Sequence, residues 1–411
     1  MTRISACRAC GGTRLAPILD LGKTPLANSL PTADRLGAPE PVFPLDLVLC
    51  QDCSLLQITE TVPPEQLFSD YLYFSSFSES FVKHAETIAT RLVGERRLGP
   101  GSLVAEVASN DGYLLQFYKR AGVPVLGIEP AANIAKVARE ERGIDTLNAF
   151  FGTATAQALR DQGRRANVIH ANNVLAHVAD LTGFVRGFAL LLKDDGVAVL
   201  ESPYIKPFLD HCEFDTIYHE HLCYYSLTAL DRLFRSQGLL IRSVEHLPFH
   251  GGSVRLFAEP LRPGRTADAS VTTLLAAEAA WGVTDPAAYQ AFARTVATLK
   301  ADLRRTLGEL KAQGKRIAAY GAAAKGSTLL NSFGIGTETL DFVADRSTYK
   351  QGRYMPGVHV PIHGPERILA DQPDYLLILA WNFADEIIRQ QAEYQRRGGR
   401  FIIPIPAVKI V

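Results

Sequence analysis

GSLVAEVASNDGYLLQFYKRAGVPVLGIEP, residues 101–130, decides how the chain folds. Ser102–Val107 is a short apolar run that predicts a buried strand. It ends in the small-residue turn Ala108-Ser109-Asn110-Asp111-Gly112, and a helical pattern, LLQFYKRAG, follows. A second strand, Pro124–Ile128, stops at Glu129-Pro130. Strand, turn, helix and strand make a parallel α/β unit. An acid about 20 residues past the turn is placed for the two hydroxyls of an adenosine ribose.

The turn lacks the G-x-G-x-x-G that cradles a pyrophosphate. Its small residues, with Asn110 and Asp111, suit a ligand with an amino-acid end. S-adenosylmethionine is such a ligand, with an ammonium, a carboxylate and a sulfonium but no phosphate. On these residues alone an unspecified nucleotide domain stays open. Further along, Asn167–Ala171 ends in Asn172-Asn173 with His177 close behind, and Gly196–Leu200 ends in Glu201. Ligands of an open parallel sheet bind beyond the carboxyl ends of its strands, so Asn173, His177 and Glu201 are expected to line one crevice.

Soon after comes Tyr218-His219-Glu220-His221, in apolar and aromatic surroundings. Phenol, imidazole and carboxylate in four residues are proton-transfer groups, and a partly dry setting moves their pKa values. A buried hydrogen-bond knot is the other reading of the same run.

Upstream lie Cys7-x-x-Cys10 and Cys50-x-x-Cys53. Two such pairs read as a four-thiolate zinc site, and a full set of four leaves no open position, so the metal is structural. Cys212 and Cys223 read as core thiols. Downstream, Leu261–Gln313 is Ala-rich with Leu, Lys and Arg at helical spacing, giving linker helices interrupted near Pro286. Its stripe of Phe292, Val296, Leu299, Leu303 and Leu307 reads as a packing face. A second strand-turn-helix unit opens at Lys315, with the turn Gly321–Gly326 and a strand-tip acid, Asp345. Amides at its helix start beside Lys325 would hold an anion; a structural duplicate without ligand is the equal alternative.

With 43 basic and 43 acidic residues in balance, nothing suggests wholesale binding to nucleic acid or an anionic membrane. No apolar run approaches membrane-spanning length, and the first residues have no signal-peptide core, so a cytoplasmic protein is expected.

Taken together, these motifs resemble the sugar C-methyltransferases that act on nucleotide-linked keto-deoxysugars in branched-sugar and antibiotic biosynthesis. The resemblance runs over essentially the whole chain. It rests on the four cysteines, Glu106-Val-Ala-Ser-Asn-Asp-Gly112, Ala171-Asn-Asn-Val-Leu-Ala-His177 and Ile217-Tyr-His-Glu-His221. His250-Gly-Gly-Ser253 with Arg255, and Tyr320-Gly-Ala-Ala-Ala-Lys-Gly326, complete it. The family turn is usually E-I-G-S-N-D-G, and Ala108 replaces its first glycine.

The resemblance implies an α/β protein in four parts: a zinc-binding module (1–68), a Rossmann-like S-adenosylmethionine-dependent methyltransferase domain (69–260), a helical linker (261–314) and a C-terminal Rossmann-like domain (315–411). It implies S-adenosylmethionine held by Glu129 at the ribose, with Ser109, Asn110, Gly112 and Asn173 around the methionyl part and Glu106 also among the cofactor-binding residues. It puts Tyr73, His177, Tyr218, Glu220 and His221 around the sugar, with His221 the expected base. It gives His250, Ser253, Arg255 and Lys325 to the nucleotide diphosphate, with a dTDP-linked keto-deoxysugar as substrate and a monomer as the working expectation. The competing reading is an NAD-dependent nucleotide-sugar dehydrogenase or epimerase, against which both glycine-poor turns argue. A zinc-ribbon binding module with a degenerate methyltransferase domain is a third.

Overall fold

The computed structural model describes residues 2–68 and 74–411. A seven-stranded sheet forms the centre, in the order 239–247, 253–260, 192–203, 166–172, 104–107, 125–128, 146–147. The last five strands in that order run parallel, and Ser253–Pro260 is antiparallel to both its neighbours. Val104–Val107 has sequence-later strands on both sides, so the strand order reverses around it. A crevice therefore opens beyond its carboxyl end, where Ala108–Gly112 sits.

The C-terminal sheet repeats this plan. Its order is 362–363, 343–344, 317–320, 375–378, 400–403, 409–410, parallel except for the last pair. Ile317–Tyr320 is its reversal point, and the turn beyond it leads into the helix Ala324–Phe333. Strand limits differ from expectation mainly at Leu192–Pro203, which is longer than Gly196–Leu200 because it pairs on both edges.

The cysteine module is an antiparallel sheet of Leu15–Pro25, Val42–Cys50 and Leu56–Ile58. Its fourth strand, Cys223–Tyr224, comes from far along the chain. The Tyr218–His221 run thus enters directly into the sheet of the cysteine module.

The expected linker holds two helices, Ala269–Trp281 and Pro286–Ala312. Asp285 caps the second by accepting from the Ala287 amide, with proline next to the cap. The stripe from Phe292 to Leu307 is buried, and Phe292 meets Phe208 at 5.1 Å between ring centres. On the first helix, buried Glu278 accepts from the Leu227 and Thr228 amides at 2.6 and 2.7 Å, capping the helix Leu227–Ser236. No described helix is long and apolar enough to cross a membrane.

Candidate active site

The two reversal points open into one cleft of about 850 Å³. At one end are Ala108, Asn110, Glu129 and Asn173, in the middle His177, Tyr218 and His221, and at the other end Lys325, Lys350 and Trp381.

At the first end the backbone is bent to clear space. Ala108, Asn110, Gly112 and Asn173 all have left-handed φ, of 53°, 47°, 78° and 56°. Alanine is unfavourable there, so Ala108 carries backbone strain that the family's glycine would not. Gly112 does not line the cleft. A Cβ on it would lie 2.8 Å from Ile144, so it lets the turn pack. The Glu129 carboxylate accepts from the Asn110 and Ala131 amides, each at 2.9 Å. Burial pushes its pKa up, while those two amides pull it down. Glu106 and Ser109 are buried behind the turn rather than on the cleft wall. Burial, then Asp111 and Glu129, push the Glu106 carboxyl well above its ordinary range. The side-chain oxygens of Asn172 and Asn173 are buried without a hydrogen-bond partner among the described residues. Unpaired acceptors with a strand-tip carboxylate fit a ligand that is cationic at one end and carries a ribose at the other, as S-adenosylmethionine does.

The middle of the cleft is set by tautomers. His221 Nδ1 lies 3.0 Å from the Thr216 carbonyl, which can only accept, so Nδ1 carries the hydrogen. The lone pair is then on Nε2, 2.9 Å from the Tyr218 hydroxyl, which donates to it. These two residues share a tight turn, closed by the His221 amide on the Tyr218 carbonyl at 2.9 Å. His177 donates from Nδ1 to the Glu220 carbonyl at 2.7 Å, and its ring meets His221 edge-on at 4.8 Å. Burial holds His177 down to about 4, so it is neutral at pH 7.

Glu220 itself faces away from the cleft. Its carboxylate accepts from Asn28 of the cysteine module at 2.7 Å, and burial raises its pKa. His219 also points to that module, its Nε2 donating to the Pro44 carbonyl at 3.0 Å. The run therefore divides, with Tyr218 and His221 in the cleft and His219 and Glu220 fastening it.

Arg255 and Glu201 stand apart from the cleft for a reason of register. Arg255 pairs directly across the sheet with Glu201 on one side and Glu245 on the other. Its guanidinium lies 2.7 and 3.1 Å from their carboxylates, with His84 also on Glu201 at 2.9 Å. Although burial opposes it, His84 and Arg255 hold the Glu201 pKa below its ordinary range. Glu201 was expected on the crevice wall; Ser202 takes that place. Ser253 is buried and donates to the Phe249 carbonyl at 3.0 Å. The Tyr73 expectation lies outside the described residues, and so does the side chain of His250.

At the far end Lys325 donates to Asn382 at 2.8 Å and lies 4.7 Å from the centre of the Trp381 ring. Lys350 donates to the Ala322 carbonyl at 2.7 Å. The sequence reading missed Lys350, Trp381 and Asn382. Trp381 and Asn382 could have been found by the strand-end rule, since they follow the strand Tyr375–Ile378.

Away from the cleft, the sulfurs of Cys7, Cys10, Cys50 and Cys53 all lie within 4.8 Å of one another. Cys7 to Cys53 is 3.5 Å and Cys10 to Cys50 is 3.6 Å. Four thiolates about 2.3 Å from a zinc ion would be spaced roughly 3.8 Å apart, so the cluster fits tetrahedral Zn²⁺.

Three family models cover most of the chain: a zinc binding domain (7–68), a methyltransferase domain (83–244) and a C-methyltransferase C-terminal domain (248–406). The chain is 36% identical to the C-methyltransferase NovU of Streptomyces niveus, over 99% of this chain and 97% of that one. It is 29% identical to the ubiquinone biosynthesis O-methyltransferase of Bartonella tribocorum, over 23% of this chain and 38% of the other. Among solved structures, the magnesium protoporphyrin IX methyltransferase of Synechocystis with bound S-adenosylmethionine aligns with 43% of this chain and 78% of its own. The TM-score is 0.33 at 15% identity.

Proposed function

Because this chain belongs to the S-adenosylmethionine-dependent C-methyltransferases, with a structural zinc module, we propose that it methylates carbon 3 of a nucleotide-linked 4-keto-deoxysugar. The observation that carries this reading is the hydrogen-bonded His221–Tyr218 pair, set midway along a cleft that has acceptors at one end and two lysines at the other.

The hydrogen on carbon 3 is acidic because the neighbouring carbonyl can take the charge as an enolate. His221 Nε2 takes this proton, directly or through the Tyr218 hydroxyl, and the Thr216 carbonyl stabilises the imidazolium through Nδ1–H. Tyr218, once it turns from Nε2, donates to the enolate oxygen; neutral His177, its hydrogen held on Nδ1 by the Glu220 carbonyl, presents only an acceptor nitrogen and is the second candidate for the base. S-adenosylmethionine supplies an electrophilic methyl on its sulfonium. Carbon 3 gains the methyl as the sulfur–carbon bond breaks, and the proton stays on His221 until solvent removes it. Glu129, Asn110 and Asn173 hold the cofactor. Lys325 and Lys350 face the diphosphate, a dTDP carrier being the first to test.

For the domain limits we take 1–68, 69–260, 261–314 and 315–411. Ser253–Pro260 is hydrogen-bonded within the seven-stranded sheet, which favours the break at 260 over the start of the C-terminal family model at 248. The reading is tested by incubating the protein with S-adenosylmethionine and a panel of dTDP-4-keto-deoxysugars. A product heavier by one methyl, with the label on carbon 3 by NMR, supports it. Methyl on an oxygen, or on no member of the panel, removes it.

A further inference from the structure

The turn Phe214–Thr216 supplies the carbonyl that fixes His221, yet much of what holds this turn comes from the C-terminal domain. Phe214 stacks on Phe333 with ring centres 4.8 Å apart and planes 12° from parallel. Thr328 donates to the Ile217 carbonyl at 3.1 Å. These two contacts alone would dock the turn. Between them lies a costlier one. Asp215 is fully buried, with one oxygen accepting from the Trp381 indole N–H at 2.7 Å. Its other oxygen has no partner among the described residues. Burial pushes the Asp215 carboxyl up to about 6, against the pull of Lys325 and Trp381. A buried, half-satisfied carboxylate is a poor way to gain stability, but its direction-dependent bond fixes geometry.

Trp381 also forms the face under the Lys325 ammonium, at the lysine end of the cleft. The same indole therefore touches the anion end through its ring and the base loop through its N–H. We propose that Trp381 is a positioning residue: its N–H fixes Asp215, and through the adjoining Thr216 carbonyl it fixes the tautomer and ring orientation of His221. This rests on the reading of His221 as the base.

The test uses the full-length enzyme. Trp381→Phe keeps the ring but removes the donor. It should lower kcat roughly 10- to 100-fold, the scale of a small misplacement of a reacting group, with KM for both substrates within about twofold. Asp215→Ala should lose as much, and the double variant no more than either single one. Asp215→Asn, which keeps an acceptor oxygen, should recover part of the loss. Without any sugar present, ¹⁵N NMR of histidine-labelled protein should show His221 as the Nδ1–H tautomer, assigned by its disappearance in His221→Asn. In Trp381→Phe the same signal should show a mixture of tautomers. Unchanged kcat in Trp381→Phe, a raised KM at constant kcat, or losses that multiply in the double variant would overturn the proposal. So would an unaltered tautomer. Because the NMR needs no substrate, it scores the role of the Trp381–Asp215 contact even if the sugar assignment fails.

Discussion

The two reversal-point crevices are built alike and charged oppositely. In the first, Glu129 at a strand tip accepts from the amide of the neighbouring turn, Asn110, and from its own second neighbour, Ala131. In the second, Asp345 does the same with Ala322 at 2.7 Å and Ser347 at 2.8 Å. The backbone solution is one solution used twice. The side chains then diverge. Glu129 lies on the cleft wall near unpaired amide oxygens, whereas Asp345 is off the wall with Lys350 at 3.8 Å. On the proposed reading Glu129 takes the ribose and the unpaired amide oxygens the cation, while Lys325 and Lys350 of the second crevice take the anion. A shared fold fixes where a ligand sits, and the local charge decides which ligand it is.

The sharpest way to break this comparison is to exchange the two acids for alanine in turn. Glu129→Ala should weaken S-adenosylmethionine binding by roughly 10- to 100-fold, the range for charge-assisted hydrogen bonds. Asp345→Ala removes the same pair of amide contacts and should leave that affinity unchanged by calorimetry. Equal losses would mean that Glu129 only braces its turn. Next in size, Lys325→Ala should raise KM for the nucleotide-sugar by about 10-fold while S-adenosylmethionine affinity stays constant. A change in cofactor affinity there would contradict the division of labour between the crevices.

Smaller effects probe the first crevice and its neighbour. His177 is held down to about 4 by burial, against an unfolded value of about 6.5. Between those values the unfolded chain binds a proton that the folded one refuses, so stability falls as pH drops through that window. His177→Gln should remove about 1–2 kcal/mol of that loss, discounted because the ring is partly open to the cleft. Denaturant midpoints of the two proteins at pH 7 and pH 4.5 measure it. Ala108→Gly should stabilise the protein by up to about 1 kcal/mol, since φ there is 53°. A loss of stability would show that the alanine methyl packs usefully.

Local patterns made much of this legible in the sequence. The strand-turn-acid units, the paired cysteines and the Tyr218–His221 run each occupy a short window whose spacing carries its own geometry. What escaped depends on long-range register. Arg255 reads as a free cation next to a glycine pair, and only sheet order shows that Glu201 and Glu245 flank it. Glu220 reads as a site acid, but its partner, Asn28, is 192 positions away. Asp215 stands in an apolar stretch with no motif, and its partner, Trp381, is 166 positions on. Local spacing cannot register either contact.

The central claim is that His221 takes the proton in a cleft that binds its cofactor independently of that step. It is tested most directly by incubating His221→Asn with a 4-keto substrate in D₂O and following carbon 3 by NMR, with calorimetry for S-adenosylmethionine. The account predicts normal cofactor affinity, with exchange and turnover both lowered by about 10²–10⁴-fold. Exchange at the wild-type rate in this variant would contradict it and move the base to Tyr218 or His177.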